Sequence, residues 1–205
     1  MTTHEPDAVR HYQQALAADR ERHDRQAEAI DLGHLGGAFA AQGDLPNALV
    51  CYQLQLDLAR ELGDRAGEGN ALGNLSGAHL AQGQLAEAIA GYEQRLAIAH
   101  ELGDERGTSR ALANLGAAYA LQGDVPRAIE HLERAMPLQR ALGDFLDEAQ
   151  TSWNLGLAYE TLGDLARAIP ALQRCVDYER EINDAGAEAD AAQVEVLKRR
   201  LAGEQ

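Results

Sequence analysis

The chain has 205 residues, of which 45% are hydrophobic and only 4% aromatic, so we expect a core built from small residues at close range. A formal net charge of −15 and a single lysine, Lys198, argue against nucleic acid as a partner, because phosphate binding needs clustered Lys and Arg, and they weakly favour a basic partner. No basic and apolar signal region opens the chain and no stretch approaches about 18 apolar residues, which predicts a cytoplasmic protein that does not contact membranes.

The sequence repeats every forty residues without insertion or deletion. A fixed period between about 20 and 50 residues is typical of stacked units, none of which can bury its own apolar face alone. The clearest positions in register are Gly43, Gly83, Gly123 and Gly163; Ala48, Ala88, Ala128 and Ala168; and Asp64, Asp104, Asp144 and Asp184.

Each period is predicted to be a helical hairpin. In the second period, Ala71, Leu75 and Ala78 follow the three- and four-residue spacing of one amphipathic helix, and Ile89 and Tyr92 continue it in a second. In chain order we expect a single domain over 1–205, made of a lone second-type helix at 6–23, repeats at 24–63, 64–103, 104–143 and 144–183, and a C-terminal capping helix at 184–202.

Helix ends are marked by aspartate and glycine. An aspartate at a helix start can accept hydrogen bonds from the free N–H groups there, and its charge suits the positive end of the helix dipole. The preceding glycine can adopt the left-handed conformation that ends the helix before it. The expected caps are Asp64, Asp104, Asp144 and Asp184 for first helices, and Asp44, Asp124 and Asp164 for second helices.

Two segments of the third repeat resemble the tetratricopeptide repeat (TPR): residues 115–119, with sequence LGAAY, and residues 123–129, with sequence GDVPRAI. The forty-residue spacing resembles the long-helix subclass found in Pins-class adaptors and kinesin light chains, and the Arg-rich, Lys-poor composition suggests a bacterial source. The resemblance implies an all-α fold, a right-handed α-solenoid of TPR hairpins with four full repeats. It also implies a non-catalytic protein that binds a partner protein or peptide.

In this family the first helices line the concave face, so residues one repeat apart form ladders along a groove. The expected ladder consists of His34, Asn74, Asn114 and Asn154, with Ile30, Asn70, Arg110 and Gln150 one turn earlier. An asparagine amide offers a donor and an acceptor, which match the C=O and N–H of an extended peptide. His34 departs from the asparagine pattern. Nearby Gly33 and Gly73 either leave room for a ligand or allow neighbouring hairpins to pack closely.

Trp153 and Arg110 each have two alternative interpretations. Trp153, with Leu157 one turn on, either anchors a ligand in the groove or packs under the C-terminal helix as part of the core. Arg110 either pairs with a ligand carboxylate or phosphate, or bridges to an acidic neighbour. We keep both alternatives open at this point.

Three classes of function remain. The first is binding of an extended peptide in the groove; the second is a self-assembling scaffold in which the two terminal half-repeats pair head to tail. Catalysis is the third and weakest, because the histidines form no HExxH pair and no cysteine stands at metal-ligand spacing. We therefore expect no enzyme activity, no cofactor and no metal.

Overall fold

The computed structural model describes residues 5–203, with side chains from residue 8 onward. Residues 1–4, part of the stretch in which we expect no signal region, and residues 204–205 lie outside the described residues. The helices are α1 (Glu5–Arg22), α2 (Arg25–Ala41), α3 (Leu45–Leu62), α4 (Arg65–Ala81), α5 (Leu85–Leu102), α6 (Glu105–Gln122), α7 (Val125–Leu142), α8 (Phe145–Thr161), α9 (Leu165–Glu181) and α10 (Ala187–Ala202). Within residues 5–203, no helix is both long enough and apolar enough to cross a membrane.

The chain forms two compact units, unit 1 (Met1–Gly107) and unit 2 (Thr108–Gln205). In unit 1, α1 packs on α2, α2 on α3, α3 on α4, and α4 on α5. Helix α2 also contacts α4, so two first-type helices lie side by side. In unit 2, α7 packs on α8, α8 on α9, and α9 on α10.

Glycine ends the helices as predicted. The seven glycines that precede the Asp or Gln at the next helix start have φ between +66° and +87°, the left-handed region: Gly43, Gly63, Gly83, Gly103, Gly123, Gly143 and Gly163. At the two outermost hairpin junctions the same conformation is taken by His23, with φ of 58°, and by Asn183, with φ of 57°. The conformation is therefore kept even where the glycine is not.

Most of the aspartate caps form, and two do not. The side chains of Asp44, Asp64, Asp104, Asp124 and Asp164 each accept a hydrogen bond from the N–H three residues on, and Asp24 does so as well. Asp144 occupies its cap position without such a bond. The predicted cap by Asp184 is wrong, because α10 begins only at Ala187 with Gly186 as its N-cap, and Asp184 instead accepts from the Gly186 N–H at 2.7 Å.

The two helices of a hairpin approach closely where the sequence has small residues. A Cβ added to Gly116 on α6 would lie 2.5 Å from Leu132 Cγ and 3.2 Å from the Ala128 carbonyl oxygen on α7. Gly36 and Gly156 are filled in the same way by Tyr52 and Leu172. In each case the glycine accepts the side chain that lies sixteen positions on, in the second helix of the same hairpin.

An ion pair recurs between the end of a second-type helix and the start of the next first-type helix. Arg20 pairs with Glu28 at 2.8 Å, Arg60 with Glu68 at 2.8 Å, and Arg180 with Glu188 at 3.1 Å. Arg140 and Glu148 form the same contact. The arginines are about half exposed, so solvent screens each pair, and its main effect is to join consecutive hairpins in register.

Candidate functional site

Unit 1 contains a cavity of about 560 Å³ at the surface of the first-type helices α2 and α4. Four predicted ladder residues line it: Ile30, His34, Asn70 and Asn74. Tyr12 of α1 lies beside it, with its ring 5.1 Å from the ring of His34, and Asp31 Oδ1 is 3.6 Å from His34 Nδ1. The cavity therefore has an aromatic side and an amide side, and we refer to it as the unit 1 groove.

Gln55 is a groove residue that the sequence analysis missed. It belongs to the second-type helix α3, yet its side chain fits against Gly33 of α2, where a Cβ would lie only 2.6 Å from Gln55 Nε2. Asn74 Nδ2 donates a hydrogen bond to Gln55 Oε1 at 3.4 Å. Gly33 thus makes room for Gln55, and Gln55 in turn holds the amide of Asn74.

The second repeat has the same arrangement, but an arginine takes the position of the glutamine. Arg95 of α5 lies against Gly73 of α4, where an added Cβ would be 2.2 Å from Arg95 Nη1. Arg95 and Asn70 both line a smaller cavity of about 60 Å³. The sequence signal that could have revealed Gln55 and Arg95 is the pair of glycines, Gly33 and Gly73, forty residues apart. A side chain from the following helix fills the space beside each glycine. Each of these glycines therefore contacts a side chain of its own hairpin, and Gly33 also lines the unit 1 groove.

In unit 2 the predicted ladder residues do not line one common cavity. Arg110 Nε lies 3.7 Å from Asp147 Oδ2, which is the bridge to an acidic neighbour that we weighed against a ligand contact. Gln150 is exposed, whereas Asn114 and Asn154 are each half-buried. The cavity that Arg110 lines is completed by residues 143–147 and Tyr178, and does not include Asn114 or Asn154.

Trp153 is half-buried and packs against a core cluster shared by α9 and α10. That cluster comprises Leu172, Val176, Val194 and Leu197, all at most 1% exposed. Leu157, one turn on, lies at the surface. These contacts give Trp153 a core role beneath the C-terminal helix, so its use as a ligand anchor stays only a prediction.

The family model described as Tetratricopeptide repeat matches residues 26–101 and 107–180. The chain belongs to the tetratricopeptide repeat family. The all-α helical-repeat solenoid expected from the sequence is thereby confirmed, and the hairpins described above are TPR hairpins. No curated protein sequence matches this TPR chain significantly.

Solved structures with the same fold share little sequence with this TPR chain. BtubC (BKLC) from P. vanneervenii superposes with a TM-score of 0.75 at 19% identity, covering 100% of this chain and 94% of that one. A putative kinesin light chain with nearly identical TPR-like repeats from Podosopora anserina gives 0.64 at 19%, covering 96% and 88%. A Rap protein complexed with Competence and Sporulation Factor gives 0.69 at 16%; this chain is covered to 98% but spans only 61% of that protein.

Proposed function

We propose that this TPR chain is a non-catalytic interaction module that binds an extended peptide or partner segment in its groove. The observation that carries the proposal is the arrangement of Asn70 and Asn74, one turn apart and exposed, along an open cavity of about 560 Å³. The predicted contacts in unit 2 extend the proposal to the side-chain amides of Asn114, Gln150 and Asn154 and to the guanidinium of Arg110. His34 contributes a ring instead of an amide at the first position of the ladder.

The chemistry favours recognition of a peptide backbone. Asn74 Nδ2 is engaged by Gln55, which leaves Asn74 Oδ1 to accept from a peptide N–H. Each such hydrogen bond contributes about 1 kcal/mol net, so side-chain pockets must supply the remaining affinity. Ile30, Tyr12 and Tyr52 provide apolar and aromatic surface next to the amides. Burial raises the pKa of Tyr52 above its ordinary value, so this phenol stays neutral and able to donate.

The Rap protein solved with Competence and Sporulation Factor supports the proposal as an analogy, because it shows this fold in complex with a bound factor. Affinity selection tests it: peptides from a displayed random dodecapeptide library are selected on the wild-type protein and measured against variants. Asn74→Ala and Asn70→Ala should each weaken groove-directed peptides by about fivefold, as expected for loss of about 1 kcal/mol. Gln94→Ala, an exposed amide on α5, is the control. Equal binding by all three variants would defeat the proposal.

A second candidate is self-assembly through the terminal helices. It is favoured by Val196 and Leu201, two exposed apolar side chains on α10. Light scattering over a wide concentration range separates the candidates. A constant mass of 22.1 kDa leaves the groove as the functional surface, whereas a mass that climbs with concentration, and stops climbing when residues 185–205 are deleted, supports assembly.

A further inference from the structure

A charge pair closes the first two hairpins, and the sequence of the other two repeats lacks it. At the first position of α2 and α4, Arg25 pairs with Glu61 and Arg65 pairs with Glu101, the latter at 2.6 Å. The corresponding positions of the fourth repeat hold Phe145 and Glu181. The acid is therefore kept, while its cation is replaced by a large apolar side chain.

The replacement leaves apolar surface open to solvent. Phe145 is 57% exposed, Leu146 is 53% exposed and Ile182 is 49% exposed. Phe145, Tyr178 and Ile182 line a cavity of about 570 Å³ together with Arg174, Asp177 and Glu181. We call this cavity the Phe145 cleft. Its volume falls in the range of about 300–1,000 Å³ that is usual for ligand sites.

The charges beside the cleft are predominantly negative. Asp177 and Glu181 are exposed at its edge. Glu148, deeper in the cleft, is already paired with Arg140 and lies 4.0 Å from Arg174, so those two arginines are directed to an acid of the chain itself. On the other side of Phe145, Arg110 lies 3.7 Å from Asp147. The uncompensated charge next to the apolar surface is thus acidic.

We propose that the Phe145 cleft docks a segment of a partner protein in which a large apolar side chain is flanked by lysine or arginine. The apolar side chain of the partner packs against Phe145, Tyr178 and Ile182. Its basic side chain pairs with Glu181, as Arg25 pairs with Glu61 and Arg65 with Glu101 in the first two repeats. Burial of an aromatic residue supplies the affinity and the charge supplies the selectivity. Occupation of the cleft by a second copy of the chain is an outcome that the solution mass tests.

The decisive variant restores the pattern of the first two repeats. Phe145→Arg places a guanidinium beside Glu181, as in the first two repeats, and closes the cleft without disturbing the core, so its thermal midpoint should equal that of the wild type. Val50→Arg is the matched control: Val50 is also 57% exposed, lies on α3 in unit 1, and undergoes the same change in charge. A general electrostatic effect would therefore appear in both variants.

The probe is a displayed random dodecapeptide library selected on the wild-type protein and depleted on Phe145→Arg. The peptides that remain should share an apolar or aromatic residue within three positions of a lysine or arginine. They should bind Phe145→Arg about thirtyfold or more weakly, the effect expected for loss of a hot-spot side chain, and should bind Val50→Arg and Asn74→Ala as the wild type. Because Asn74→Ala leaves these peptides unaffected, failure of the groove and failure of the cleft are distinguishable.

The proposal is overturned if depletion on Phe145→Arg leaves no peptides, if the remaining peptides lack basic residues, or if Val50→Arg weakens them as much as Phe145→Arg does. A doubled solution mass that Phe145→Arg returns to 22.1 kDa would also overturn it, since the occupant would then be a second copy.

Discussion

Gln139 on α7 donates a hydrogen bond from Nε2 to Thr151 Oγ1 on α8 at 3.0 Å, with the two residues only 1% and 2% exposed. Thr151→Val keeps the shape and removes the acceptor, so the Gln139 amide loses its partner inside the core. The free energy of unfolding should fall by about 1–3 kcal/mol, measured by urea denaturation. The double variant Gln139→Leu/Thr151→Val removes both groups and should recover much of the loss. A single variant as stable as the wild type would contradict this account.

The contribution of an N-cap hydrogen bond to stability can be tested at Asp64, the N-cap of α4. Its Oδ1 accepts from the Gly67 N–H at 2.8 Å, and its Oδ2 accepts from Gln26 Nε2 at 2.9 Å. Asp64→Ala should lower the free energy of unfolding by about 1 kcal/mol, as is usual for loss of an N-cap. Gln84→Ala is the comparison, because Gln84 occupies the N-cap of α5 without a side-chain cap bond, and it should cost clearly less. Equal losses would show that the cap bond is not what stabilises α4.

The same carboxylate gives stability a pH dependence. The Gly67 N–H and the Gln26 amide that donate to it hold the pKa of Asp64 below its ordinary value. Its contribution is therefore complete above the ordinary pKa of an aspartate and is lost as the pH falls through the lowered one. The stability difference between wild type and Asp64→Asn should be present at neutral pH and vanish in acid. A difference that is constant across the acid range would contradict the shift.

The close approach of α6 and α7 can be tested by adding one methyl group. Gly116→Ala would bring a Cβ to 2.5 Å from Leu132 Cγ, and the resulting overpacking should cost about 1–3 kcal/mol in urea denaturation. Gly77→Ala is the matched helical control, since its Cβ would meet only Tyr92 Oη, at 3.6 Å. That variant should be as stable as the wild type or up to about 1 kcal/mol more stable, because alanine favours helix. The opposite order would refute the packing described for this hairpin.

Thiol reactivity should distinguish folded from unfolded protein. Cys51 and Cys175 are both free and buried. Burial raises the pKa of both thiols, and burial together with Glu179 raises the pKa of Cys175 to about 12. Little thiolate is therefore present at neutral pH, and the native protein should react slowly with a disulfide reagent such as Ellman's reagent. Both thiols should react at once in denaturant; fast reaction of the native Cys175→Ser variant would place Cys51 at the surface.

The repeat fold and its helix ends could be predicted from the sequence because they depend on local chemistry. A glycine followed by an aspartate marks a helix end wherever it stands, and only Asp184, after the last full repeat, was misassigned. The groove could be predicted less completely. Gln55 was missed because its role depends on which second-type position lies over Gly33, and a pattern of hydrophobic spacing does not contain that information. Trp153 was ambiguous because core and groove positions are adjacent on a first-type helix.

The arginine and glutamate that join consecutive hairpins have a consequence for how such a chain can change length. An arginine and a glutamate eight positions apart pair at four junctions. The four pairs are separated from one another along the sequence by multiples of forty residues. A crossover between gene segments that encode two of these repeats would join an arginine from one copy to a glutamate from another. The new junction would already be matched in sequence, so whole hairpins could be gained or lost without new compensating mutations at the seam.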